Sequence, residues 1–167
     1  MTKAATPWEA LVQQLNLQPH PEGGYYREVF RSRNSVQFGQ QSRDASTSIY
    51  YLLNKGNYSA WHKIDADETW YFLAGQPLLL HQLSETGELI SCQLGNALTN
   101  KGVVFQTAVP SGRWFAAELA EQSDFALVAC SVAPAFEFST FQIATISDLA
   151  AARQRHGGWL DRLLKQP

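Results

Sequence analysis

Sulfur is scarce in this sequence, with two cysteines and one methionine in 167 residues. Cys92 and Cys130 lie far apart and form no C-x-x-C pair, which excludes a disulfide framework. Both read as buried strand residues, because cysteine is among the residue types most often buried. Long apolar runs are missing too. The longest, such as Phe125 to Cys130, are strand-sized, well short of the ~20 apolar residues of a membrane helix. No apolar stretch follows Lys3, so no secretory leader is expected. Charge of one sign is also lacking. The net charge is −2 with acids and bases interspersed, and no basic stripe offers itself to nucleic acid. These absences leave the expectation of a cytoplasmic protein with no membrane or nucleic-acid partner.

What the chain does have is aromatic rings: five Trp, nine Phe and six Tyr. They suit a packed β core with an aromatic-lined pocket. The length suits one domain, taken as residues 1–167, which buries roughly 70% of the unfolded surface without a staple.

Along the chain, Thr6, Pro7 and Glu9 form a capping-box start for a short helix. Trp8, Leu11, Val12 and Leu15 then recur at helical spacing, so this helix is expected to cover a sheet. A breaker-rich loop, His20-Pro21-Glu22-Gly23-Gly24, follows. From Tyr25 to about Ile146 the pattern is that of short strands: Ser48 to Leu53, Thr69 to Leu73, Leu78 to Leu83, Val103 to Val109 and Phe125 to Val132, divided by Gly- and Pro-rich turns. There is no room for the long crossovers of a parallel sheet, so the expected fold is all-β, an antiparallel sandwich or closed barrel. A second helix is expected over residues 147–156, with Ser147 as cap and Gly157-Gly158 as stop.

The stretch from Gly56 to Gly75 carries the chemistry. It reads Gly56, five residues, His62, one residue, Ile64, three residues, Glu68, six residues, Gly75. Residues two apart on a strand share a face, so His62 and Ile64 point the same way, as do Glu68, Trp70 and Phe72. This spacing resembles the first signature of the cupin superfamily, with Ile64 in the place of its second histidine. Pro110-Ser111-Gly112 followed by Phe115 resembles the second signature, with Phe115 in the place of its histidine. The words His20 to Glu28, Thr47 to Leu53, Asp67 to Trp70, Val109-Pro110 and Val132 to Phe138 occur in an order similar to the small cupin-5-type subfamily, over roughly residues 10 to 145. That resemblance implies an antiparallel double-stranded β-helix, the RmlC-like jelly roll, flanked by short helices and commonly dimeric. In metal-binding cupins three histidines and a glutamate of these signatures hold the metal. Ile and Phe cannot ligate, so no metal or other cofactor is expected here.

The candidate catalytic residues are therefore His62, whose ordinary pKa lies near neutrality, and Glu68, expected to contact and orient it. Metal-free sugar-nucleotide epimerases of the cupin fold, which use an inward His with a Tyr, set the pattern for this expectation. Arg27, Tyr25, Tyr51, Trp70, Phe72 and Phe115 are the candidate ligand-binding residues, Arg27 because its fork suits an anionic group. Of the pairs Tyr25–Tyr26 and Tyr50–Tyr51, one member of each faces inward. His20 and Glu22 are placed at the barrel mouth, and Glu137 at a dimer contact. The leading expectation is a homodimer that binds a small polar, sugar-like metabolite and moves a proton on it. The rivals are a metal-dependent oxygenase or isomerase using His62, Glu68 and His20, and a binding or structural protein without catalysis.

Overall fold

Two antiparallel sheets lie face to face and form a jelly roll, with short helices near either end of the chain. The structure, a computed structural model, describes residues 6–120 and 123–166. Helix α1 (Pro7–Gln14) starts where the capping box predicts: the Glu9 carboxylate accepts the Thr6 backbone N–H at 2.7 Å and its hydroxyl at 2.8 Å. The strands are β1 (Gln18–Pro19), β2 (Tyr25–Arg31), β3 (Ser35–Phe38), β4 (Gln41–Asp44), β5 (Thr47–Asn54), β6 (Tyr58–Lys63) and β7 (Asp67–Gly75). Then come β8 (Leu78–Leu83), β9 (Leu89–Leu94), β10 (Gln106–Val109), β11 (Phe115–Leu119), β12 (Phe125–Ala133) and β13 (Gln142–Ile143), before helix α2 (Ala150–His156). One sheet has the order β1-β2-β5-β12-β7-β10 and the other β13-β6-β11-β8-β9, with β3–β4 a separate hairpin.

Strand alternation sorts the apolar residues into layers. Tyr51, Leu53, Trp70, Leu80, Phe115 and Val128 fill the space between the sheets. Leu52 and Leu127 turn outward and are covered by Trp8, Leu11, Val12 and Leu15 of the N-terminal segment. On the far side, Trp61 and Ala116 are covered by Leu149, Ala152, Leu160 and Leu163. The Trp61 indole N–H donates to the Leu160 carbonyl at 3.0 Å, which pins the C-terminal segment to β6. Cys130 is buried in β12, whereas Cys92 in β9 is only partly covered.

Two elements differ from the pattern read in the sequence. Of the segment from Val103 to Val109, only Gln106–Val109 is strand. Val104 instead bridges Leu94 in parallel while the Phe105 carbonyl accepts from Phe72 N–H at 2.8 Å, so the chain crosses here from one sheet to the other. Helix α2 begins at Ala150 rather than Ser147. The Ser147 hydroxyl bonds to Thr145 Oγ1 at 2.9 Å, and the Asp148 carboxylate accepts from Thr145 N–H at 2.8 Å, closing a turn where the cap was expected.

The turn between β1 and β2 sets the site. Gly23 N–H donates to His20 O and His20 N–H to Gly24 O, both at 3.0 Å, while Ala60 N–H of β6 donates to Glu22 O at 2.8 Å. Gly23 has φ +116°, and a Cβ there would sit 2.0 Å from the Tyr58 carbonyl oxygen. No other residue fits. Gly23→Ala is expected to cost about 1–3 kcal/mol through strain and the displaced β6 contact, read as a fall in the urea midpoint at unchanged slope.

Candidate functional site

At one end of the two sheets lies a cavity of about 180 Å³ whose wall includes His20, Glu22, Tyr51, His62, Glu68 and Trp70. The register explains why its ionisable groups are buried. On β7, Glu68 stands opposite Val132 of β12 on one side and Val109 of β10 on the other. A carboxyl held between two valines is poorly solvated, and the Glu22 carboxyl nearby repels its charge. Together these raise the Glu68 pKa from 4.5 to about 8, burial being the larger cause. On β6, His62 stands opposite Phe115 of β11 and Ile143 of β13, and its ring lies 3.9 Å from the Phe115 ring centroid. Burial there lowers His62 from 6.5 to about 4, so the ring is neutral near pH 7.

Hydrogen bonds fix the tautomers. His62 Nδ1 lies 2.7 Å from the Ala60 carbonyl oxygen, which only accepts, so Nδ1 carries the proton. Nε2 then faces Glu22 Oε2 at 3.1 Å. A bond between them needs one more proton, held by Glu22 as a carboxylic acid or by His62 as imidazolium. Burial raises the Glu22 pKa and lowers that of His62, so the neutral pair is favoured. The other Glu22 oxygen accepts from the Ser59 hydroxyl at 2.9 Å. On its far side Glu22 meets His20: its N–H donates to His20 Nδ1 at 3.3 Å, and Oε2 lies 3.5 Å from the same nitrogen. His20 therefore presents its N–H at Nε2 and, being buried, also has a lowered pKa. The array His20–Glu22–His62 is continuous.

Among the residues singled out from the sequence, His62, Glu68, Tyr51 and Trp70 line this cavity, as do His20 and Glu22 of the turn expected at its mouth, Ile64 and Glu137. The expected His62–Glu68 contact is not made: among the described residues no hydrogen bond joins them, and Glu22 takes the place beside His62. Tyr51 faces in, but its hydroxyl donates to the Gly23 carbonyl at 2.8 Å, and burial raises its pKa. Tyr25 faces out onto Trp8, with ring centroids 6.0 Å apart, and Tyr26 lines the cavity in its stead. Arg27 pairs in register with Tyr50 on the outer face. Phe72 is packed in the core, and Phe115 is fully buried behind His62 rather than at the cavity surface. Lys63 points outward from β6, its ammonium 4.5 Å from the Trp114 ring centroid.

Arg31 is a site residue that no sequence pattern singles out. At the half-exposed mouth its guanidinium meets both Glu28 oxygens at 3.0 Å, Asp44 at 3.2 Å, Glu137 at 3.3 Å and the Phe136 carbonyl at 3.0 Å. Glu137 lies at the cavity mouth, bonded to Arg31. Arg31 belongs to no motif; only the strand register reveals it.

The donor set does not make a metal centre. Of the four signature positions, Ile64 and Phe115 offer no donor, and both His62 nitrogens are engaged by Ala60 and Glu22. Among the described residues no group of three or more His, Cys, Asp and Glu is arranged to hold a metal ion.

Fold and site together define a cupin: a jelly roll with the signature His and Glu turned into the space between its sheets. The chain belongs to the DUF985 family of the cupin superfamily, which matches residues 9–144. It is similar to a crystallised protein from Shewanella oneidensis, with 35% identity over 100% of both chains and a TM-score of 0.84. A hypothetical protein from Leishmania major shares 31% identity, covering 95% of this chain and 98% of its own, with a TM-score of 0.86. The oxalate decarboxylase of Bacillus subtilis, in its structure at pH 4.6, aligns at 18% identity over 89% of this chain and 36% of its own, with a TM-score of 0.55, a likeness of fold alone. No curated protein matches. Among the described residues no helix is long and apolar enough to cross a membrane.

The raised Glu68 pKa has a thermodynamic consequence. The unfolded chain ionises this carboxyl near 4.5 and the folded chain near 8, so its contribution to folding is fully present below pH 4.5 and is lost as pH rises to 8. Glu68→Gln removes that loss. Its melting temperature relative to the wild type is expected to climb steadily between pH 5 and pH 8.5, for a gain on the order of a few kcal/mol. A difference that stays flat across this range would show that Glu68 titrates normally.

Proposed function

We propose that the cavity binds a small polar metabolite of sugar-like class and moves a proton on a carbon beside its carbonyl group, as an epimerase or isomerase does, without a metal. The observation that carries this reading is the pairing of two proton-handling groups with opposite shifts across one cavity. His62 is held neutral by burial, and Glu68 is held as an acid up to about pH 8. Groups whose surroundings push their pKa values apart are suited to divide the roles of base and acid.

In this scheme the His62–Glu22 pair acts as a unit. As His62 Nε2 takes the proton it shares with Glu22 Oε2, the freed carboxylate accepts one from the substrate carbon. Glu68 donates its proton to the carbonyl oxygen, giving a neutral enediol; the pair then returns a proton to the neighbouring carbon while Glu68 takes the proton of the other enediol hydroxyl, which completes an isomerisation and restores both groups. Ser59 and the Gly23 turn hold Glu22 in place, and Trp70 and Tyr26 wall the substrate. The small cavity suits a free sugar better than a nucleotide-linked one.

Solvent-isotope exchange tests this across a whole substrate class at once. Small aldoses, ketoses and sugar acids are incubated with the protein in D2O and assayed by mass spectrometry for deuterium at carbon. The wild type is expected to label at least one member, and His62→Ala to slow that labelling by about 100-fold or more. Binding without labelling would mark a binding protein and overturn the proton-transfer step. Equal labelling by both proteins would remove His62 from it.

A further inference from the structure

We infer that the ligand of this cavity is a small organic cation, a primary amine that carries a hydroxyl or carbonyl oxygen close by. This rests only on the reading of the cavity as a binding site, names the charge class of what it binds, and gives Glu68 the part of counter-ion in place of the proton donor of the scheme above.

Charge is the first argument. The lining includes four carboxyl side chains, Glu22, Glu28, Glu68 and Glu137, against one cationic one, Arg31. Arg31 is not free to take an anion, since Glu28, Asp44, Glu137 and the Phe136 carbonyl occupy its guanidinium from several sides. His20 and His62, held neutral by burial, add no positive charge. An anionic metabolite thus meets carboxyls with no open counter-ion, whereas a cation meets complementary ones.

The walls are the second argument. Tyr26, Tyr51, Trp70, Phe136, Phe138 and Phe141 surround the same space. Phe138 stacks on His20 with ring centroids 6.0 Å apart and is half exposed at the mouth. Aromatic faces beside carboxylates attract an ammonium group more strongly than a neutral one.

The third argument is an unused donor. Trp70 is 1% exposed, and its indole N–H has no hydrogen-bond partner among the described residues. It is directed at the Glu68 carboxyl, whose pKa it lowers as a donor, although no hydrogen bond of normal geometry joins them. Trp70 and Glu68 sit two apart on one face of β7. A buried N–H without a partner is costly, and a ligand oxygen would satisfy it while the neighbouring ammonium met Glu68. Glu22, Cys130 and Trp70 are the groups that act on Glu68; the first two, with His20, His62 and Tyr51, make up the titratable lining near it. None of them is a cation at neutral pH, so the arriving amine is what allows Glu68 to ionise, and binding releases its proton.

Two size-matched triads test this by calorimetry at pH 7: ethanolamine, ethylene glycol and glycolate; and glucosamine, glucose and glucuronate. In at least one triad the amine is expected to bind about tenfold or more tightly than both counterparts. Its titration in buffers of different ionisation heat should show about one proton released per amine bound, and its neutral counterpart none. Glu68→Gln, isosteric with the native side chain, should weaken the amine at least about tenfold more than it weakens the neutral molecule. Tighter binding of a neutral or anionic member overturns the cation inference and leaves the binding site standing. An amine preference untouched by Glu68→Gln overturns the assignment to Glu68. If no member binds, the reading of the cavity as a binding site falls, and this inference with it.

Discussion

The structure of the site depends on one constraint: ionisable groups placed where water cannot solvate their charges. Two carboxyls and two imidazoles share the interior of this jelly roll, and the strands beside them contribute valine, phenylalanine and isoleucine. Desolvation pushes the acids up and the bases down, so each is driven to its neutral form. A set of neutral groups with opposite proton preferences is a different object from a metal-ligand set, although the sequence positions overlap. Ile64 and Phe115 remove two donors, and in doing so they supply part of the apolar surface that shifts the two that remain.

His62 shows how the change propagates. With its Nδ1 proton given to the Ala60 carbonyl, its Nε2 needs a donor or a cation. Glu22 supplies the donor, from a turn forty residues earlier in the chain and on the other sheet. That turn is itself held in three ways: by the Ala60 N–H, by the Tyr51 hydroxyl and by a glycine at φ +116° packed against Tyr58. The loop carrying Glu22 is therefore as constrained as the strands, which is what a catalytic or binding carboxyl requires.

This explains which parts were legible in the sequence. Local rules placed α1 through its capping box and the strand faces through alternation, with Glu68, Trp70 and Phe72 on one face. The spacing of His62 and Glu68 disclosed the superfamily. Alternation failed to choose between Tyr25 and Tyr26, because parity gives the pair and not the phase. Arg31 was hidden by an irregularity. Glu28 pairs with Ile49, but Phe30, not Val29, pairs with Ser48, so an extra residue sits in β2. That bulge shifts the phase by one and brings Arg31 opposite Thr47 on the cavity side. No composition signal marks such a bulge. The Glu22–His62 contact was equally out of reach, since it joins two sheets whose relative placement no local pattern encodes.

The bulge also decides what the mouth can recognise. Counted by simple alternation, Phe30 would face the cavity and Arg31 the outside, leaving Glu28 and Glu137 without a cation between them. With the phase shifted, Arg31 ties both carboxylates and Asp44 into one network at the half-exposed mouth. A guanidinium so fully engaged loses its value as an anion receptor but gains one as a brace, since it links β2, β4 and the segment after β12. Exposed ion pairs contribute little individually, and a network centred on one bidentate arginine contributes more. The charge left over at the mouth is negative, the interior groups are driven to their neutral forms, and the walls are aromatic. What distinguishes this cavity is thus the set of carboxyls that burial protonates, at a site where two of the four signature positions carry apolar side chains.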